Sequence, residues 1–207
     1  MIEKVFLMLV FVFSISAVQS QNSKKNIMSN KLDVATIANG CFWCTEAIFQ
    51  RLNGVEKLTS GYTGGNLKNP TYTEISTGET GHAEAIQIYF NAAIITYQEI
   101  LDVFFSTHNP TTLNRQGYDR GTQYRSAIFY HSDEQKNIAA SFIRALTDAK
   151  VFEDPIVTEI TKFDVFYDAE QYHQNYYNNN KTQGYCMAVI NPKLDKFIIK
   201  YKDKLKK

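Results

Sequence analysis

Apolar and polar positions along the chain switch repeatedly between a strand-like and a helical pattern. A short β-type run from Val34 to Ala38 ends at Asn39-Gly40, where a turn is easy because glycine accepts positive φ. Helical spacing follows, with Cys44, Ile48 and Leu52 on one face and Phe49 beside them, until Gly54. Val55 to Ser60 reads as a strand. The stretch from Gly61 through Tyr72 reads as a long, turn-rich loop. Ala83, Ala85, Ile86, Ile88 and Phe90 form the next strand, with Glu84 set into its start. Tyr97 to Thr107 is helical, burying Ile100, Leu101, Phe104 and Phe105, and Asn109-Pro110 stops it. A polar, glycine-containing loop from Asn114 to Ser126 leads into a strand, Ala127 to Tyr130. Ser132 then caps a helix over Asp133 to Asp148 with an apolar stripe of Ile138, Phe142, Ile143 and Leu146. Val157 to Phe163 is a strand and Asp168 to Tyr177 a short helix. Asn178 to Gly184 is a flexible link to Cys186, and Pro192 to Lys206 is the last helix. Strands and helices mix without strict alternation, which predicts an α+β domain around a mixed sheet.

The first residues break from this pattern. Lys4 precedes an uncharged apolar run, Val5 to Val18, and Val18-Gln19-Ser20 has the small-residue form of a cleavage site. Residues 1–20 therefore read as a signal peptide, 21–31 as a polar, disordered linker, and 32–207 as a single catalytic domain. An exported protein, periplasmic or released, follows from this, and retention of the run as a membrane anchor stays open. A formal net charge of +1 offers no reason to expect a nucleic-acid partner. The lysine-rich end from Lys193 reads as a solvated helix end. A monomer is the default state.

Export would place the chain in an oxidising compartment, yet it has only three cysteines, too few and too odd a set for a stabilising framework. They read as catalytic sulfur. Cys41 falls at a helix N-terminus, where free N–H groups and the dipole favour a thiolate below the usual thiol pKa of about 8.5. Phe42 and Trp43 beside it could wall a pocket for a small apolar group, although a cysteine next to two aromatics is often only a buried hydrophobe. The Cys41-Phe42-Trp43-Cys44 spacing also admits a thioredoxin-like redox pair. A zinc site fits poorly, since no second such pair exists and the histidines at 82, 108, 131 and 173 are scattered. Glu84 is either an exposed edge carboxylate or an acid whose pKa a partly apolar pocket raises. Tyr72 and Tyr124 are phenols on polar loops that could donate to an oxygen, and Asp119 could orient them. Cys186 could reach a sulfenic acid on Cys41. A reactive thiolate, an aromatic wall, an acid, phenol donors and a second cysteine together suit reduction of an S=O bond.

The blocks that carry these residues resemble, in order, the peptide methionine sulfoxide reductases of the A type. They are Gly40 to Glu46, Gly61 to Gly65, Asn69 to Tyr72, Thr80 to Glu84, Gly121 to Ser126, Tyr167 to Glu170 with Tyr172 to Gln174, and Gly184 to Cys186. The resemblance runs from about Ile37 to Phe197. It implies a two-layer α+β sandwich with a central mixed sheet, flanking helices and long catalytic loops. It implies that Cys41 attacks the sulfoxide sulfur and becomes a sulfenic acid, with Phe42 and Trp43 holding the substrate methyl. Glu84 would protonate the oxygen, Tyr72 and Tyr124 would hydrogen-bond to it, and Asp119 would support the polar site. Cys186 would resolve the sulfenic acid, with Cys44 as the alternative, and thioredoxin or another dithiol would reduce the disulfide. Specificity for the S epimer, no metal and no organic cofactor are also implied. Two positions depart from the pattern: Tyr118 stands where Asn is usual, and Cys44 where many members have Gly. The competing readings are a general dithiol–disulfide oxidoreductase using Cys41 and Cys44, and a binding domain with buried cysteines.

Overall fold

A computed structural model describes residues 32–207, so the expected signal peptide and linker lie outside the described residues. Its framework is a six-stranded sheet in the order β7-β6-β1-β3-β2-β8. The strands are β1 Asp33–Asn39, β2 Val55–Thr63, β3 Ala83–Phe90, β6 Ser126–Tyr130, β7 Glu159–Lys162 and β8 Phe166–Asp168. Only β6 and β7 run parallel, so the sheet is mixed. The principal helices are α1 Phe42–Phe49, α3 Tyr97–Ser106, α4 Asp133–Asp148 and α6 Asn191–Lys200, and the fold is α+β, as expected.

Strand alternation divides the sheet into two unlike faces. Ile37, Ile86, Ile88 and Ile128 join the main core with Phe42, Ile48, Phe49, Leu101 and Phe104 from the helices. The other face carries Ala38, Ala83, Ala85, Ala127 and Phe129, with Phe163 and Phe166 packed against them. Glu84 shares the parity of Ile86 and Ile88, so it points to the helical face, and β3 lies inside the sheet rather than at its edge. The alternative of an exposed edge carboxylate is thereby removed.

Caps fix the helix starts. Thr96 and Glu99 form a capping box on α3, and the Ser132 hydroxyl accepts the Gln135 N–H on α4. Between β1 and α1, Gly40 takes φ +96°, and a Cβ there would come within 2.7 Å of Gln116 Cβ. Glycine is required at this position by both conformation and space.

Several elements differ from the sequence expectation. β2 runs on through Gly61, Tyr62 and Thr63, which pair with β8. Gly61, read as a turn residue, lies flat against its neighbour: a Cβ would sit 2.3 Å from the Tyr167 carbonyl oxygen. Tyr72 opens a short helix, α2 Tyr72–Ser76, capped by Thr71 and Glu74, instead of lying in open loop. The loop from Asn114 contains a hairpin of β4 Arg115–Gln116 and β5 Asp119–Arg120. Asp168 to Tyr177 is not one helix, because Asn175 turns left-handed at φ 53° and α5 spans only Tyr176–Asn179. The Cys186 link is no flexible tether either: Cys186–Ile190 is a π-helical turn running into α6, and Cys186 is fully buried. After α6 the tail folds back, with the Lys206 N–H donating to Arg51 O and Asn53 N–H to Lys204 O.

Candidate active site

The site forms where the start of α1 meets the start of β3. Cys41 is the N-cap of α1, with non-helical dihedrals of −55° and 123° that leave its side chain outside the helix proper. Directly after it, the Phe42 N–H donates to Glu84 Oε2 at 3.0 Å. An anion-seeking helix end thus holds the carboxyl beside the thiol. Glu84 is 2% exposed, and burial raises its pKa to about 8; the Phe42 hydrogen bond opposes that rise and the Asp119 charge adds to it. At neutral pH the carboxyl carries a proton it can donate.

The thiols of Cys41 and Cys44 adjoin, and each reshapes the other's titration. Burial, then Cys44 and Glu84, push Cys41 well above the ordinary thiol value. This runs against the lowering expected at Cys41, because burial opposes the helix end there. Cys44 is lowered to about 7, first because Cys41 hydrogen-bonds to it; burial opposes this and the Lys193 charge adds to it. Cys186 is also raised, first by burial and then by Cys44.

Phenols close the polar side. Tyr72 and Tyr124 are half-buried, and both are raised by burial first and by Glu84 next, with Cys41 also acting on each. Tyr124 ends a short 3₁₀ turn, Thr122–Tyr124. Asp119 reaches the site through a phenol that the sequence motifs did not single out: Tyr185 donates to Asp119 Oδ2 at 2.8 Å and lies 3.8 Å from Cys44 Sγ. The five catalytic candidates, Cys41, Glu84, Tyr72, Tyr124 and Asp119, therefore converge, with Tyr185 added.

The two aromatics after the thiol differ in exposure. Phe42 is buried, its ring 5.0 Å from His173 and 5.9 Å from Tyr62. Trp43 is half-buried, stacks on Tyr176 at 3.7 Å, and donates its indole N–H to His173 Nδ1 at 3.0 Å. Behind them Glu170 accepts the Tyr62 hydroxyl and the Tyr72 N–H, both at 2.8 Å. Buried Glu46 accepts the N–H groups of Asn175 at 2.7 Å and Tyr176 at 3.1 Å. Glu46, Glu170 and His173 lie in the motif blocks, yet nothing in their spacing reveals that they brace the site. Among the described residues, no group of three or more His, Cys, Asp or Glu gathers as a metal-binding set.

An α+β scaffold that presents paired thiols, a protonated carboxyl and phenols in one niche defines a thiol-dependent reductase. The model of the family described as peptide methionine sulfoxide reductase matches residues 33–206, and the chain belongs to that family. A protein of Deinococcus radiodurans named peptide methionine sulfoxide reductase MsrA is 51% identical over 92% of this chain and 93% of its own. One of Saccharolobus solfataricus with the same name is 51% identical, over 84% of this chain and 98% of its own. Among solved structures, reduced Mxr1 from Saccharomyces cerevisiae superposes with a TM-score of 0.71 at 36% identity, covering 75% of this chain and 90% of that one. The same yeast protein in complex with Trx2 gives 0.51 at 29% identity, covering 73% and 91%.

Proposed function

We propose that the chain reduces the S epimer of methionine sulfoxide in oxidised proteins, through a sulfenic acid on Cys41. The observation that carries this reading is Glu84, a buried carboxyl protonated at neutral pH and held beside Cys41 by the Phe42 N–H. Beside Cys41, the Cys44 thiol is lowered to about 7, first by the hydrogen bond from Cys41. As Cys41 attacks the sulfoxide sulfur, its proton passes to Cys44. Glu84 gives its proton to the oxygen, with Tyr72 and Tyr124 donating hydrogen bonds. The oxygen then passes from the methionine sulfur to the Cys41 sulfur as the transient Cys41–methionine S–S bond breaks, so that methionine leaves as the thioether and Cys41 is left as a sulfenic acid. Phe42 and Trp43 supply the apolar contact for the substrate methyl.

The sequence favours Cys186 as the resolving thiol. The placement of the thiols supports Cys44 instead: it adjoins Cys41, and Cys41 is free of helical dihedrals, which a bond across this short spacing needs. Cys44 attacks the sulfenic sulfur, water leaves, and a Cys41–Cys44 disulfide forms. A dithiol protein of the thioredoxin type then reduces it; the fold's likeness to Mxr1, known in complex with Trx2, supports such a partner. The uncharged run from Val5 to Val18 supports export of the domain from the cytoplasm.

The test supplies residues 21–207 with each separated epimer of an N-acetylated methionine sulfoxide and dithiothreitol. Turnover of the S epimer alone, lost in Cys41→Ser and Glu84→Gln, is expected. A Glu84→Gln variant of full activity would instead favour plain dithiol–disulfide exchange.

A further inference from the structure

The hairpin of β4 and β5 is bound to the active site on one face and bare on the other. Strand alternation sends Gln116 and Asp119, which pair across the hairpin, inward. Gln116 packs against Gly40, just before the nucleophile, and is pinned by two hydrogen bonds to the Asn109 backbone. Asp119 takes the Tyr185 hydroxyl. The same alternation sends Arg115 and Arg120, also a cross-strand pair, outward, and both are exposed. Like charges directly opposite on a ladder are unfavourable. Neither guanidinium has an ion-pair or hydrogen-bond partner among the described residues. At the tip, Gly117 takes φ 62°, as a tight hairpin turn demands, and pushes Tyr118 out to 96% exposure; Leu113, just before the hairpin, is 69% exposed. An unshielded arginine pair, a bare aromatic and a bare leucine on one short rim are depleted on ordinary surfaces and enriched where a chain docks.

We infer that this outer face docks the polypeptide around the oxidised methionine and favours chains with acidic residues close to it. The inference rests on the reductase reading and adds a preference to it. Gln116 packs on Gly40, the residue before Cys41, which sets the hairpin beside the sulfoxide and within reach of the residues that flank it. Acidic side chains there relieve the repulsion between Arg115 and Arg120, and Tyr118 covers a neighbouring apolar residue. Arg125, by contrast, is already paired with Glu159 at 3.1 Å.

The experiment compares N-acetyl methionine (S)-sulfoxide with peptides that differ only in having Asp, Ser or Lys on either side of the sulfoxide. The enzymes are the parent, the double variant Arg115→Gln/Arg120→Gln, and Tyr118→Asn. The parent is expected to show kcat/KM roughly three- to tenfold higher for the Asp peptide than for the Lys peptide, the scale of one or two exposed charge pairs. High salt and the double variant should each erase that ratio. Tyr118→Asn should lower kcat/KM for every peptide, while the small sulfoxide is turned over at the parent rate by all three enzymes. Equal rates for Asp and Lys peptides with the parent, or a ratio that survives the double variant, would overturn the docking surface while leaving the reductase intact. Failure to reduce the small sulfoxide would overturn the reductase reading and the docking surface with it.

Discussion

Glu84 Oε2 accepts the N–H of Phe42 at 3.0 Å, which couples the acid to the first turn of the helix that carries the nucleophile. Burial dominates the carboxyl, and its pKa of about 8 lies above the ordinary 4.5. A carboxyl raised in the folded state is bound by a proton that the unfolded chain releases earlier. Its contribution to stability is thus full below the ordinary value and is lost as pH rises through about 8. Over that window Glu84 is expected to weaken the fold by on the order of a few kcal/mol. The single-turnover rate should fall above the same pH as the acid loses its proton. Glu84→Gln should cut the rate by roughly 10²- to 10⁴-fold and flatten the slope of stability against pH. Denaturant melts from pH 5 to 9, beside stopped-flow methionine release, check both; an unchanged slope would show that Glu84 is not the group titrating.

The paired thiols predict a distinct alkylation profile. Iodoacetamide should find one thiol titrating near pH 7, because Cys41 hydrogen-bonds to Cys44 and the Lys193 charge lowers it further. Cys44→Ser should remove that phase, and Lys193→Met should move it upward. Cys44→Ser should still release one methionine per enzyme, more slowly for want of the acceptor of the Cys41 proton, and then stall with thioredoxin. Cys186→Ser should cycle. Mass mapping of the disulfide after one turnover checks the assignment, and a Cys41–Cys186 bond would reverse it.

Much of this site is legible in the chain because short-range chemistry places it. Asn39-Gly40 ends β1 and puts Cys41 at a helix start, and the parity of Glu84 with Ile86 and Ile88 sends it to the helical face. The helix over Asp133 to Asp148 and the strand over Ala83 to Phe90 follow from a cap and from apolar periodicity. Long-range partners are not legible in the same way. Tyr62 sits in β2 because β8 pairs with it from more than a hundred residues away. Asn175 turns left-handed where Glu46, from the first helix, takes its N–H. Cys186 is held in a π-helical turn packed on the core, which the polar stretch before it conceals. Burial, the main cause that raises the Cys41 thiol, likewise has no signature in a short motif.

Trp43 is the sole tryptophan of the chain, so its fluorescence reports the site directly. Its indole N–H donates to His173 Nδ1 at 3.0 Å, and burial holds His173 below its ordinary pKa, hence neutral and able to accept. His173→Leu removes the acceptor while filling the space, and should cost about 1–3 kcal/mol. The indole should also become more mobile. A lower melting midpoint with a shifted Trp43 emission and reduced anisotropy is the expected result, whereas a shift in stability with unchanged emission would place the loss elsewhere.

Glu46 predicts how the backing segment is held. It is 4% exposed and accepts the N–H groups of Asn175 and Tyr176, and Tyr176 is the ring on which Trp43 stacks. Burial raises its pKa and these hydrogen bonds counter the rise. Glu46→Ala would leave two backbone donors without their acceptor and open a gap under the segment. The expected cost is about 2–4 kcal/mol, from the lost charge-assisted hydrogen bonds and the void together. Hydrogen exchange should quicken from Glu170 to Asn180 and hardly change in β1 or β3. Activity should fall through a higher KM, since the Trp43 wall loosens while Cys41 and Glu84 keep their places. Asn175→Gly supplies the control: glycine accepts φ 53° at no steric cost, so protection and KM should stay near the parent values. Uniform loss of protection across the sheet in Glu46→Ala would mean that Glu46 supports the whole core instead of this segment.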